Sequence, residues 1–147
     1  RKTIAGIRSL QKYAVRCGGG GNHRMGLYDA VMIKDNHIQA CGSITKAVEK
    51  AKKSTPHTTK IEVEADRLSQ VGEAINAGAD IILLDNMPHK DMAEAVQKYS
   101  DRPVLFEASG GINLLTVRAV AETGVHLISV GALTHSAPPL PLHLELI

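Results

Sequence analysis

The segment KIEVEADRLSQVGEAINAGADIILLD, residues 60–85, decides the fold. KIEVE (60–64) has the composition of a strand. Asp66 is placed to cap the helix that follows, Leu68, Val71, Ala74 and Ile75 form its buried stripe, and Gly78 stops it. DIILLD (80–85) is then an apolar run of the kind buried on both faces of a sheet. Strand, helix and strand in this order make one βαβ unit, and the connection through a helix makes its two strands parallel.

The same exchange runs outward in both directions. Upstream, Ile7, Leu10, Ala14 and Cys17 recur at helical spacing, YDAVMIK (28–34) is a strand, and Ser43 caps a helix over 43–53 with Ile44, Ala47, Val48 and Ala51 on one face. Downstream, Pro88 opens a helix carrying Met92, Ala95, Val96 and Tyr99, and PVLFEA (103–108) is a strand. Asn113 caps a helix with Leu114, Val117, Val120 and Ala121 that stops at Gly124, and HLISVG (126–131) is the last strand. The alternation fits both an open doubly wound sheet and a barrel. Lys34, Glu64, Asp85, Ser109 and Gly131 each fall at or just past the C-terminal end of a strand. A barrel gathers its chemistry in that way, one contribution per strand, whereas a doubly wound sheet concentrates it at a switch point.

The expected fold class is therefore α/β, a TIM-like α/β barrel with parallel strands. It is an incomplete one, because a full barrel takes about 200 residues or more and the chain has 147, read as one domain over 1–147. The tail APPLPLHLELI (137–147) alternates Leu142, Leu144 and Leu146 with His143 and Glu145 and is expected to supply a closing or edge strand.

With 44% hydrophobic and 22% charged residues the composition is that of a globular protein. A net charge of +2 and no basic run longer than Lys52-Lys53 argue against a nucleic-acid partner. No apolar stretch approaches the roughly 20 residues of a membrane span, so no membrane partner is expected. The two cysteines, Cys17 and Cys41, form no CxxC pair, in keeping with a reducing, cytoplasmic setting.

CGGGGNHRMG (17–26) resembles a phosphate cradle at first sight, but the third glycine of GxGxxG is replaced by His23 or Arg24, and no GK[ST] follows. A helix stop with a loose turn accounts for the glycines alone. His23, Arg24 and Lys34, with Arg1 and Lys2, supply cations suited to a ligand with more than one carboxylate. Glu64 and Asp85 close neighbouring strands and suit Mg²⁺ or a developing positive charge. ASGGI (108–112) and SVGALTHS (129–136) have the form of the late-strand phosphate site of barrels, where backbone N–H groups receive an anion.

Those motifs, together with RKT, KYAVRCGGGGNHRMGLYDAVMIKDNHI, EVE and LLDN in this order, resemble the C-terminal barrel portion of the quinolinate phosphoribosyltransferase family from Arg1 to about Ala137. The resemblance implies a phosphoribosyl transfer from phosphoribosyl pyrophosphate to quinolinate with decarboxylation. The products are nicotinate mononucleotide, pyrophosphate and CO₂, with Mg²⁺ as cofactor, in NAD biosynthesis. It implies that Arg1, His23, Arg24 and Lys34 line the quinolinate pocket and that Lys2 reaches toward the phosphoribosyl pyrophosphate. Glu64 and Asp85 stand by the ribose and Mg²⁺, with Lys34, Glu64 and Asp85 the catalytic set. Ser109, Gly110, Gly111, Gly131 and His135 receive the 5-phosphate. The resemblance implies an N-terminal domain that residues 1–147 are not expected to include, and a homodimer or higher oligomer for the full-length protein. Ala5, where proline is common, and the ending PPLPLHLELI depart from the family pattern. The alternative is a barrel fragment that binds phosphate or a dicarboxylate, or assembles with a partner, without turnover.

Overall fold

The computed structural model describes residues 1–146. The chain divides into two compact units, His23–Val130 and a second made of Arg1–Asn22 with the segment from Gly131 onward.

The first unit is built on a five-stranded parallel sheet in the order β1-β2-β3-β4-β5. Its elements run β1 (Val31–Ile33), α2 (Asp35–Cys41), α3 (Ile44–Ser54), β2 (Ile61–Ala65), α4 (Leu68–Ala77), β3 (Ile81–Asp85), α5 (His89–Lys98), β4 (Leu105–Ser109), α6 (Val117–Ala121) and β5 (Leu127–Ile128), numbered after the α1 helix of the other unit. Each strand pairs with the next one in sequence, so the order never reverses. A doubly wound sheet needs such a reversal, and its absence makes this sheet the wall of an α/β barrel.

Register and the two-residue period of a strand separate the two faces of the sheet. On one face Ile33, Ile61, Val63, Ala65, Ile82, Leu84, Phe106 and Ala108 are buried in a single apolar cluster. The helices contribute Ile44, Ala47 and Val48 from α3, Val71, Ala74 and Ile75 from α4, Met92 and Ala95 from α5 and Val120 from α6 to the same cluster. Burial of each larger side chain stabilises by about 1.5–3 kcal/mol. The other face carries Met32, Glu62, Glu64, Ile81, Leu83, Asp85, Glu107 and Ser109, as the pairs Met32–Glu62, Glu62–Ile81, Glu64–Leu83, Leu83–Glu107 and Asp85–Ser109 require. Leu83 is 4% exposed and yet lies outside the apolar cluster, which marks it as belonging to this second face.

Several helix signals act where the sequence places them. Ser43 Oγ accepts the Lys46 N–H at 3.2 Å and starts α3. Gly78, with φ +82°, ends α4. Others differ. Arg67 occupies the N-cap of α4 without a side-chain bond, and the Asp66 N–H instead donates to Gln70 Oε1 at 2.8 Å. β1 is shorter than 28–34, and α2 follows it at once over DNHIQAC, with only Ile38 and Cys41 partly buried against the core. Asn113 Oδ1 accepts the Leu115 and Thr116 N–H groups at 2.8 and 3.3 Å, but it holds a turn, and Leu114 points to solvent at 94% exposure. Residues 137–146 form no strand, and Ile147, the last residue of the expected closing strand, lies outside the described residues.

In the second unit α1 (Arg8–Cys17) ends in the glycine run. The N–H groups of Gly18, Gly19 and Gly20 donate to the carbonyls of Ala14, Arg16 and Val15. A Cβ on Gly20 would meet Val15 Cγ1 at 2.9 Å. The glycines therefore wrap the end of the helix closely. After them α7 (Ala132–His135) completes the unit, and Thr134 Oγ1 donates to the Lys2 carbonyl at 2.7 Å. No helix among the described residues is long and apolar enough to cross a membrane.

Asp80 closes the N-terminal ends of β2 and β3. Its carboxylate accepts the Ile61 N–H and the Lys60 ammonium, each at 2.9 Å, and these bonds overcome the upward push of burial to hold its pKa below the ordinary value. Asp80→Ala is expected to lower the unfolding free energy in urea by about 1–2 kcal/mol at pH 7. A carboxylate with a lowered folded pKa stabilises above its unfolded pKa, and the effect is lost as pH falls through the folded value. The gap between wild type and variant should therefore close in strong acid; a gap that stays constant from pH 7 to pH 2 counts against this role.

Candidate functional site

The C-terminal ends of successive strands set out a row of polar side chains. Lys34 follows β1, Glu64 lies in β2, Asp85 ends β3 and Ser109 ends β4. The Lys34 ammonium is hydrogen-bonded to Glu64 Oε2, so Glu64 carries an ion-pair partner. The Lys34 N–H donates to His37 Nδ1 at 2.9 Å, which fixes its backbone at the junction of β1 and α2. Asp85 Oδ2 accepts the Asn86 side-chain amide at 3.2 Å. Glu64 and Asp85 are both partly exposed at strand ends, with hard oxygen donors, which suits a hydrated Mg²⁺.

Beyond Ser109 the chain turns through Gly110 and Gly111, both in the left-handed region at φ +97° and +62°. A Cβ on Gly110 would come within 2.1 Å of Asn86 Oδ1, so a side chain there would displace the Asn86 amide as well as strain the backbone. Asn86 itself has φ 52°, the one non-glycine residue with positive φ among the described residues, and its N–H donates to the Ser109 carbonyl at 2.9 Å. Gly111 has open space where a side chain would stand. No backbone acceptor takes the N–H groups of Gly110 or Gly111 among the described residues, which leaves both donors available to an anion.

Below this row, on the same face, lies a cluster that the motifs did not single out. His23 Nε2 stands 3.2 Å from Glu62 Oε2 and 3.7 Å from Glu107 Oε1, and both carboxylates are buried. Ser129 Oγ donates to Glu107 Oε1. Glu62 Oε1 is buried without a hydrogen-bond partner. One donor atom from each of His23, Glu62 and Glu107 lies within 4.8 Å of the others, but hydrogen bonding already accounts for the separation of His23 and Glu62. The signal for Glu62 and Glu107 was the alternation of IEVE and LFEAS, which puts Glu62 beside Glu64 and Glu107 beside Ser109 on one face.

The hydrogen bond to Glu62 raises the His23 pKa above the ordinary 6.5, against the opposing effect of burial, and the charges of Glu62 and Glu107 add to the rise. The Arg24 N–H points at His23 Nδ1 from 2.7 Å and resists a second ring proton. Burial raises the Glu107 pKa, helped by the Glu62 charge and opposed by Ser129 and His23. The Arg24 guanidinium is half-buried and donates to the Ala30 carbonyl at 3.2 Å and to Met32 Sδ at 3.6 Å.

Of the expected site residues, His23, Arg24, Lys34, Glu64, Asp85, Ser109, Gly110 and Gly111 belong to the first unit or its strand ends, while Arg1, Lys2, Gly131 and His135 belong to the second. There Lys2 and the α7 turn are joined through Thr134, and Gly131 begins the turn that His135 ends.

Residues 1–145 match the family described as quinolinate phosphoribosyl transferase, C-terminal domain. The probable nicotinate-nucleotide pyrophosphorylase (carboxylating) of Bacillus subtilis (strain 168) is 51% identical over 145 residues, covering 99% of this chain and 50% of that protein. The nicotinate-nucleotide pyrophosphorylase (carboxylating) of Homo sapiens is 40% identical over 148 residues, covering 99% and 50%. The solved structure of the nicotinate-nucleotide pyrophosphorylase from Francisella tularensis superposes with a TM-score of 0.89 at 50% identity, over 94% of this chain and 49% of that one. The chain thus spans about half the length of the curated relatives it matches.

The histidine cluster can be checked directly. The His23 ring, followed by NMR, should titrate with a midpoint above 6.5, and Glu62→Gln should lower it. A raised folded pKa contributes stability that is fully present below the unfolded value and disappears as pH rises through the folded one. The stabilising effect of Glu62 should accordingly be larger at pH 6 than at pH 9; a His23 midpoint indifferent to Glu62→Gln contradicts the hydrogen bond between the two.

Proposed function

The chain belongs to the quinolinate phosphoribosyl transferase family, as its C-terminal domain, and on that premise we propose that it carries the substrate-binding residues for phosphoribosyl transfer to quinolinate. In the whole protein the reaction yields nicotinate mononucleotide, pyrophosphate and CO₂. The observation that carries this reading is the order of chemistry across the sheet. Cations stand at the β1 side with Arg24 and Lys34, carboxylates in the middle with Glu64 and Asp85, and an anion-receptive glycine turn at β4 with Ser109, Gly110 and Gly111. An acid, a ribose and a 5-phosphate would follow one another in the same order.

Arg24 and Lys34 hold the two carboxylates of quinolinate and aim its ring nitrogen at the ribose. The C1–O bond to pyrophosphate breaks and the N–C1 bond forms, with the anomeric carbon cationic in the transition state. Glu64 and Asp85 face that charge. Bound Mg²⁺ would be held by Glu64 and Asp85 and would neutralise the departing pyrophosphate. The pyridinium then takes up the electron pair of the bond to the carboxylate next to the ring nitrogen. CO₂ leaves and the carbon is protonated. The cations must therefore orient that carboxylate without stabilising it beyond the transition state. The whole protein acts as a homodimer or higher oligomer in the cytoplasm.

Calorimetry with quinolinate and with phosphoribosyl pyrophosphate, followed by an assay for nicotinate mononucleotide on the same sample, tests the reading. Lys34→Ala should weaken quinolinate binding about 10–100-fold, the value of one charged hydrogen bond, and affect phosphoribosyl pyrophosphate much less. Equal losses for the two ligands remove Lys34 from the acid site. A wild-type chain that binds both ligands without product is a binding domain alone.

A further inference from the structure

We propose that Glu62 and Glu107 are positioning residues that act through His23 to hold Arg24 in place for a carboxylate of the bound acid, an inference that rests on the diacid reading of this site. Both carboxylates are almost wholly buried, at 4% and 5% exposure, on the charged face of the sheet. Buried ionic groups of this kind contribute little stability compared with apolar residues of the same size. Their geometry suits a different task. Glu62 and Glu107 flank β3 from its two neighbouring strands, and the His23 ring lies between their oxygens. Ser129 fixes Glu107 from the β5 side.

In its neutral form, above its titration midpoint, the ring is pinned at Nε2 and its other nitrogen accepts the N–H of the next residue, Arg24. An imidazole held at both nitrogens fixes the peptide from which the arginine side chain departs. Arg24 spends its donors on one carbonyl and one thioether, a weak acceptor, and no ion pair ties it to a carboxylate among the described residues. A half-buried guanidinium that pairs with no carboxylate among the described residues is kept for an anion that arrives from outside. His23 is in this arrangement the link between the acids and Arg24.

The test uses the full chain, isotope-labelled, as wild type and as Glu62→Gln, Glu107→Gln and the double variant, with Ser129→Ala as a milder change should the glutamine variants unfold. The first readout is the Arg24 amide, which the bond to His23 Nδ1 should shift downfield and protect from exchange. The second is quinolinate affinity by calorimetry, with inorganic phosphate as the control ligand. The glutamine variants should lose the Arg24 amide signature and bind quinolinate about tenfold more weakly, as loss of an outer-shell partner does, with phosphate affinity unchanged. Ser129→Ala should move both readouts in the same direction by less. An Arg24 amide that stays put in every folded variant overturns the proposal, and so does quinolinate affinity that survives after the amide has moved. If the wild type binds no quinolinate, the diacid reading falls, and the Arg24 amide still decides whether the acids position it.

Discussion

A strand turns alternate side chains to opposite faces, and in this sheet the two faces meet opposite demands. One must be apolar enough to hold four helices. The other must carry acids, a serine and a lysine partner. Both demands fall on the same five-residue strands, so each residue of IEVEA and LFEAS is committed to one face by parity alone. A one-residue slip in register would bury Glu62 and Glu64 in the helix layer and push Val63 and Ala65 into the charged face, so the core fixes the geometry of the site.

Parity also explains what the sequence makes legible. The strand-and-helix alternation is plain because β2, β3 and β4 are flanked by capped or glycine-stopped helices such as α3 and α4. Lys34, Glu64, Asp85 and Ser109 stand out because they end apolar runs. Glu62 and Glu107 lie inside strands, where a lone acid passes for a solvent-facing residue, and only the register shows that they flank a common neighbour and share His23. α2 is hard to see in the sequence because its apolar face is only Ile38 and Cys41, in a short and otherwise mostly polar run. The alternating leucines of the tail mimic a strand, but alternation needs a partner strand to become one, and residues 137–146 form none.

The glycines divide into two kinds. Those of the run 18–21 serve the end of α1, where Gly20 leaves no room for a Cβ against Val15. Gly110 and Gly111 serve the site, because their positive φ turns the chain sharply after β4 and leaves N–H groups uncommitted. Asn86 belongs with the second kind. Its left-handed backbone brings its side chain over Gly110 and against Asp85, and it ties the β3 turn to the β4 turn through the Ser109 carbonyl.

The uninterrupted strand order bears on how the chain can assemble during synthesis. Each strand after β1 finds its neighbour in the strand made just before it, one or two helices away, so the sheet can lengthen at a single growing edge as the ribosome advances. Among the described residues each strand after β1 therefore has its partner already made when it leaves the ribosome. The charged face is then completed in the same left-to-right sequence, with the lysine side in place before the glycine turn is translated.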